Sequence, residues 1–126
     1  MKTIINSKLA PCAIGPYNQA VRANDFLFIS GQIPVIPETG EAITDDIEAA
    51  TERVMENIKA ILNGAGLDFK DVVKSTIFIT NMNDFAKIND IYSKYFNTDF
   101  PARETIQVAA LPKNVEIEIS MIALYK

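Results

Sequence analysis

The chain contains no histidine and has a single cysteine, Cys12. Without a second cysteine no internal disulfide can form, and the usual zinc sites, which need several cysteine or histidine ligands, are excluded. The Ser-His-Asp and Cys-His arrangements of nucleophilic catalysis are excluded because both require histidine. An all-carboxylate magnesium or calcium site has no supporting spacing of aspartates and glutamates, so the sequence predicts no metal.

Long apolar runs and glycine-rich phosphate loops are also missing. No segment approaches the ~20 apolar residues of a membrane span, and the start, Met1–Asn6, is too short and polar for a signal peptide. Neither a P-loop nor a dinucleotide fingerprint occurs. Positive charge is scarce: 12 lysines and arginines stand against 16 acidic residues, a net charge of −4. We therefore expect a cytoplasmic protein without a cofactor that binds neither nucleic acid nor membrane.

The residues that are present suffice for one folded unit. The composition is 48% hydrophobic and 22% charged over 126 residues, which is typical of a globular chain with a single core. No internal repeat, low-complexity tract or linker interrupts it. The sequence thus predicts one domain spanning residues 1–126.

Hydrophobic periodicity predicts the order β-β-α-β-α-β-β. The elements are a hairpin over Val21–Ser30, a helix from near Asp45 stopped by Gly64 and Gly66, a strand over Asp71–Thr80, a helix from about Asn83, and a closing hairpin of Thr105–Ala109 with Glu116–Leu124. Glu48 is expected to form a capping box with Asp45. Because each helix has one apolar stripe, both should cover the same face of a mixed sheet, which is an α+β fold.

The last strand indicates what covers the other face of the sheet. Its residues of one parity are Ile117, Ile119, Met121 and Ala123, a core set. The alternate residues of the strand are Glu116, Glu118, Ser120, Ile122 and Leu124. This set is too apolar at its C-terminal end to face water and too charged at its beginning to form a core. A subunit interface containing a polar cleft fits this pattern.

Arg103 and Glu118 are charges in predicted strands, and together they suit binding a small carboxylic acid with a water beside it. If Ala109 lies opposite Glu116 in the closing hairpin, Arg103 and Glu118 share one face. From the residues alone, an ion pair between neighbouring strands or across an interface is the commoner explanation of such a pair. The residues by themselves leave both explanations open.

Nine short motifs run the length of the chain in an order and spacing that resemble the Rid family (reactive intermediate deaminase, the RidA/YjgF proteins). Singly these motifs are weak, but together they are highly specific. They are Ala13–Ala20, Ser30–Pro34, Thr39–Glu41, Asn57–Leu62, Asp71–Lys74, Asp84–Ala86, Pro101–Arg103, Leu111–Lys113 and Ile117–Ile119.

The resemblance implies a chorismate-mutase-like fold, a homotrimer whose sheets form a central barrel, and three clefts between subunits. It also implies hydrolysis of 2-imino acids, namely 2-iminobutanoate and 2-iminopropanoate, to 2-oxo acids and ammonia. In such proteins the matching arginine, here Arg103, clamps the substrate carboxylate, and the matching glutamate, here Glu118, positions the attacking water. Further matches to the family's substrate cleft are Tyr17, Ser30, Gly31, Asn89 and Thr105.

Thr105 departs from the family pattern, because many members carry a cysteine at that position. Its backbone groups can still contact a ligand. From the residues alone, the commoner explanations are a turn aromatic for Tyr17, an ordinary strand end for Ser30 and Gly31, and a solvated helix position for Asn89.

An imine carbon is already electrophilic, so its hydrolysis needs neither a metal nor a covalent nucleophile, only a held substrate and a placed water. Two alternatives remain beside the deaminase. One is a non-catalytic trimeric protein that binds or senses small metabolites. The other is a translation inhibitor or ribonuclease, against which the negative charge and missing histidine count.

Overall fold

The computed structural model describes residues 1–126 and contains two helices and six strands. In chain order these are β1 (Lys2–Ile5), β2 (Ala20–Ala23), β3 (Phe26–Gln32), α1 (Ile47–Gly64), β4 (Val72–Ile79), α2 (Phe85–Ser93), β5 (Ala102–Gln107) and β6 (Ile117–Leu124). The predicted mixed sheet with two helices is confirmed. Strand β1 was not predicted, since its four largely exposed residues are too few to show an alternating pattern. Neither helix is long and apolar enough to cross a membrane.

The six strands form one sheet in the order β1-β2-β3-β6-β4-β5. Strands β4 and β5 are parallel, and all other neighbours are antiparallel. The predicted closing hairpin is therefore wrong, because β6 lies between β3 and β4 and does not pair with β5. The physical reason is that β4, α2 and β5 form a strand-helix-strand unit, and its crossover places the two strands side by side in parallel.

Both helices pack on the same face of the sheet, as predicted. The buried residues of α1 and α2 join alternate residues of the strands in one core of 22 side chains. In β6 the core set of Ile117, Ile119, Met121 and Ala123 is at most 2% exposed, which confirms the predicted parity. Burial of each isoleucine side chain in this core stabilises the folded state by roughly 1.5–3 kcal/mol.

The beginning of α1 differs from prediction by one residue. The N-cap is Asp46, whose side chain accepts a hydrogen bond from the Ala49 backbone N–H at 3.1 Å. Asp45 precedes it with φ of 63°. The expected capping box with Glu48 does not form, since the residue three positions after the true cap is Ala49. The helix ends at Gly64, as predicted.

The second face of the sheet carries no helix. Five large apolar side chains lie on this face according to the strand register, and each is 39–47% exposed. They are Ile4, Phe26, Phe28, Ile106 and Leu124. Lys74 and Glu104 form an ion pair on the same face, with Nζ and Oε1 2.8 Å apart. Nothing else in the chain covers this open face.

Candidate functional site

Arg103 points to the helix-covered side of the sheet. It is paired in register with Ser75 of β4, which is fully buried beneath α2. Since laterally paired residues share a face, the arginine side chain reaches toward the exposed edge of α2. There its Nη1 donates a hydrogen bond to Asn89 Oδ1 at 2.7 Å. The structure thus brings together two of the residues that the family motifs single out.

The guanidinium of Arg103 also lies over two aromatic rings of α2. Its Cζ atom is 5.2 Å from the ring centroid of Tyr92 and 5.5 Å from that of Phe85. Phe85, Asn89 and Tyr92 follow one another at helical spacing, so they present one face of α2 to the arginine. The apolar stripe of the second helix predicts only that both aromatic residues belong to the core. Their spacing around Asn89 was the signal that could have placed them beside Arg103.

Arg103 has no carboxylate partner within the chain, because the structure contains only the Lys74–Glu104 ion pair. The explanation of Arg103 and Glu118 as an ion pair between strands of one chain is therefore excluded. Only one guanidinium N–H donates to Asn89, so the others are free. They border a hollow of about 340 Å³ lined by Asn89, Tyr92, Ser93, Phe100, Pro101 and Arg103. A small carboxylate fits such a planar, unneutralised donor group.

Glu118 lies on the open face of the sheet. It pairs in register with Phe78 of β4, one step out of phase with the buried Ile77 and Ile79. The carboxylate is half-buried, and burial raises its pKa because desolvation disfavours the charged form. A carboxylate with a raised pKa is a better proton acceptor for water than a fully exposed one.

Gly31 forms the floor beneath the carboxylate of Glu118. Strand β3 is irregular at this point: Ile29 pairs with Met121 and Gln32 with Ile119, so Ser30 and Gly31 share a single partner position on β6. A Cβ atom added to Gly31 would come within 2.7 Å of Glu118 Cδ and overlap its carboxylate oxygen. Only glycine allows this close approach.

Tyr17 and Gly31 line one small cavity of about 70 Å³, together with Cys12 and Lys113. The tyrosine is 50% exposed at its mouth. Ser30 holds the neighbouring segment, since its Oγ donates a hydrogen bond to the Asn18 carbonyl at 2.6 Å. Tyr17 in the loop before β2, and Ser30 and Gly31 on β3, are therefore grouped on the side of Glu118.

Two buried amides fix the loops of this region. Gln19, 3% exposed, accepts a hydrogen bond from the Ser7 N–H at 2.6 Å and donates one to the Pro11 carbonyl at 2.8 Å. Asn57 of α1, fully buried, donates to the carbonyls of Ile33 and Val35 at 3.3 and 3.0 Å. Gln19 also lines the cavity of Tyr17 and Gly31, whereas Asn57 is not among the residues that line it. Both restrain the chain on either side of it.

Thr105 shares the face of Arg103, because it pairs with the buried Ile77 of β4. Its Oγ1 atom is buried and has no hydrogen-bond partner. A buried hydroxyl without a partner is unusual and costly, on the order of 1–3 kcal/mol. Thr105 therefore lies beside Arg103 on the helix-covered side of the sheet.

The prediction that Arg103 and Glu118 share one face is wrong. The arginine points to the helix side of the sheet and the glutamate to the open side, because β5 pairs with β4 in a register opposite in phase to the assumed hairpin. The predicted residues therefore form two separate groups. The arginine half-site comprises Asn89, Arg103 and Thr105 with Phe85 and Tyr92, and the glutamate half-site comprises Tyr17, Ser30, Gly31 and Glu118.

No group of three acidic or cysteine side chains is arranged to hold a metal ion. The side chains of the two half-sites themselves offer two kinds of chemistry. The arginine half-site can bind a carboxylate, and the glutamate half-site can hold a water and accept its proton.

Comparisons with known proteins agree with the motifs. A family model described as Endoribonuclease L-PSP matches residues 7–125. A RutC family protein of Pyrococcus horikoshii is 52% identical over 123 residues, which cover 98% of each chain. The chloroplastic Reactive Intermediate Deaminase A of Arabidopsis thaliana is 47% identical over 122 residues, 97% of this chain and 65% of that protein. The crystal structure of Escherichia coli TdcF with bound serine matches with a TM-score of 0.94 and 46% identity, over 98% of this chain and 99% of the other. The chain therefore belongs to the Endoribonuclease L-PSP family, which includes the reactive intermediate deaminases, or Rid proteins.

Proposed function

We propose that this chain hydrolyses small 2-imino acids, 2-iminobutanoate and 2-iminopropanoate, to 2-oxo acids and ammonia in the cytoplasm. We further propose that it does so as a homotrimer whose sites lie between subunits. Each site combines the arginine half-site of one copy with the glutamate half-site of the next.

The separation of Arg103 and Glu118 on opposite faces of the sheet carries this proposal. One chain offers a carboxylate-binding group that nothing neutralises and a proton acceptor that the same ligand cannot reach. A neighbouring copy seated on the open face would cover its exposed apolar side chains and supply the missing group. In a closed ring every copy gives one half-site and receives the other.

The relatives support the same chemistry. One is named Reactive Intermediate Deaminase A, and the E. coli relative TdcF was crystallised with serine, a small amino acid. A 2-imino acid has the same carboxylate next to the reacting carbon. The guanidinium of Arg103 would hold that carboxylate through two parallel hydrogen bonds and so fix the plane of the substrate.

The proposed reaction consumes one water. A lone pair of water forms a bond to the iminium carbon while Glu118 accepts one proton from that water, and the electrons of the C=N bond move to nitrogen. The resulting carbinolamine has one hydroxyl and one amino group on the same carbon. Glu118 returns the proton to the amino nitrogen, the C–N bond breaks, and an oxygen lone pair forms the C=O bond. The remaining hydroxyl proton passes to the departing ammonia. The products are the 2-oxo acid and ammonium, and the side chains return to their starting state.

The raised pKa of Glu118 fits this double role. A carboxyl group whose pKa lies closer to neutrality accepts a proton from attacking water more readily and still returns it to the departing amine. In an assembled cleft further burial would raise its pKa, and the arginine of the neighbouring copy would lower it. General-base assistance of this kind contributes roughly 10²–10⁴-fold in rate.

The deaminase proposal is tested by adding the protein to a threonine dehydratase reaction, which generates 2-iminobutanoate, and following ammonia release. We expect Arg103→Ala to abolish the acceleration without changing the thermal unfolding transition. The matched control is Arg22→Ala, which removes another arginine whose Cζ lies over an aromatic ring, Tyr125, at 3.8 Å. Full activity in Arg103→Ala would remove the carboxylate clamp from the mechanism.

The same experiment separates the enzyme from a non-catalytic metabolite-binding protein. If the wild-type protein binds 2-oxobutanoate but leaves the rate of ammonia release unchanged, it is a binding protein and not an enzyme. An enzyme instead shows turnover that Glu118→Gln loses while product binding is retained, because the substitution keeps the shape of the side chain and removes the proton acceptor.

RNA is the second candidate substrate, because the description of the family model is an endoribonuclease. The net charge of −4 and the absence of histidine count against cleavage of a polyanion. RNA degradation that survives repeated purification and disappears in Arg103→Ala would favour the ribonuclease.

A further inference from the structure

The aromatic surface beneath Arg103 is not explained by core packing alone. Tyr92 is 3% exposed, and its ring packs 4.9 Å from Phe96, so it belongs to the core. Its other neighbour is the guanidinium of Arg103, 5.2 Å from the ring centroid. Phe85, which is only half-buried, contributes a second ring at 5.5 Å. Two rings and the Asn89 amide therefore surround a single exposed side chain.

The ring of Tyr92 is itself fixed by a buried hydrogen bond. Its Oη donates to Ser75 Oγ at 2.8 Å, and Ser75 is fully buried. Ser75 is also the register partner of Arg103 across β4 and β5. The hydroxyl that orients the ring therefore belongs to the strand position directly beside the arginine, and the contacts run continuously from Ser75 through Tyr92 to Arg103.

An arginine on an edge strand needs such support to act as a clamp. Its long side chain has about 2 kcal/mol of rotamer entropy, which ligand binding must overcome if the free side chain is mobile. Stacking over aromatic rings restricts the plane of the guanidinium before the ligand arrives and leaves its charge unneutralised. A carboxylate partner would also fix the side chain, but it would compete with the substrate.

We propose that Tyr92 and Phe85 are positioning residues that hold the guanidinium of Arg103 in the plane required to bind a substrate carboxylate, with Ser75 orienting Tyr92. This inference rests on the proposed function, in which Arg103 binds the carboxylate. Neither aromatic residue contacts the reacting atoms. Their effect is on binding of the carboxylate and passes through the arginine.

Kinetics of Tyr92→Leu, Tyr92→Phe and Phe85→Leu test this role. We expect Tyr92→Leu to raise KM about 3- to 10-fold while kcat changes less than about twofold, since the lost contact supports binding of substrate and transition state equally. Tyr92→Phe keeps the ring but loses the hydrogen bond to Ser75, so its KM should lie between those of the wild type and Tyr92→Leu. Phe85→Leu, at a half-buried position that tolerates substitution, should raise KM about 2- to 5-fold. The dissociation constant of 2-oxobutanoate should rise in parallel.

The matched control is Ile88→Ala on the same helix. Ile88 is 1% exposed and does not approach the arginine, so its truncation weakens the core and should leave KM unchanged. If Ile88→Ala raises KM as much as Tyr92→Leu does, or if both Tyr92→Leu and Phe85→Leu keep the wild-type KM, the positioning role is refuted. Arg103→Ala is measured in parallel. A wild type that leaves ammonia release unchanged would refute the proposed function itself, whereas an inactive Arg103→Ala beside an unchanged Tyr92→Leu would refute only the positioning role.

Discussion

A mixture of two inactive variants is expected to regain activity if each site is shared between copies. Arg103→Ala keeps an intact glutamate half-site, and Glu118→Gln keeps an intact arginine half-site. Because the two side chains lie on opposite faces of one sheet, a productive site needs the arginine of one copy and the glutamate of another. Hybrid assemblies of the two variants therefore contain some sites in which both residues are native.

The expected recovery follows from random assembly. When the variants are mixed in equal amounts, the copy supplying the arginine is intact with a chance of about one half, and so is the copy supplying the glutamate. The mixture should therefore reach about a quarter of wild-type activity in any closed ring with shared sites. This fraction does not depend on whether the ring is a dimer or a trimer.

The assay unfolds both variants together in denaturant, refolds them by dilution, and follows ammonia release in the threonine dehydratase reaction. The control mixes wild type with the double variant Arg103→Ala/Glu118→Gln under the same conditions. Shared sites predict about a quarter of full activity in this control as well, whereas sites within one chain predict about half. Light scattering of the refolded mixture gives the number of copies in the assembly and tests the trimer directly.

Shared sites are refuted if the mixture of Arg103→Ala and Glu118→Gln stays as inactive as its parents while the control mixture retains about half of wild-type activity. That pair of results would place both residues of a working site on the same chain, against the opposite faces that they occupy in the sheet. A monomer in light scattering with full wild-type activity would have the same consequence.

Four further outcomes are expected. Gly31→Ala should lower kcat/KM by about 10²-fold, because the added methyl displaces the Glu118 carboxylate. Gly64→Ala, whose Cβ would meet only Ser7 at 3.5 Å, should retain full activity in the same assay. Activity of the wild type should fall as pH is lowered through the raised pKa of Glu118. This loss should occur at a higher pH than the pKa of ~4.3 of an ordinary glutamate. A pH–rate profile without this decrease at low pH would contradict the general-base role. Since ionisation of a carboxyl with a raised pKa costs native stability, Glu118→Gln should unfold at higher temperature than wild type at neutral pH and at the same temperature below pH ~4. Asn57→Ala should lower the free energy of unfolding by about 1–3 kcal/mol, because two loop carbonyls lose their buried donor, and unchanged denaturant midpoints would show that the loop finds other partners.

The amino-acid sequence was sufficient to determine the local structure and the family. Helix α1, the alternation of β6 and the stop at Gly64 follow from hydrophobic period and glycine, which depend on neighbouring residues only. The nine short motifs taken together identified the family, because their order and spacing are specific although each motif is weak by itself. The candidate residues of the site could therefore be named from the order of amino acids alone.

Strand pairing decided everything about how those candidates are arranged. The closing hairpin was the simplest pairing for β5 and β6, but the sheet inserts β6 between β3 and β4, and this arrangement depends on contacts between segments far apart in the chain. A strand's side chains alternate between faces, so a change of partner or of one residue in register moves a side chain to the opposite side. That is why the sequence alone wrongly places Arg103 and Glu118 on one face.

The close contacts at each half-site were also set by the tertiary structure. Gly31 meets Glu118 only because β3 has an irregularity opposite β6, and Tyr92 meets Arg103 only because α2 crosses over the edge of β5. Neither contact leaves a periodic trace in the sequence, since both join residues on separate elements. Local chemistry thus named the groups, and the packing of distant segments determined which of them one chain can bring together.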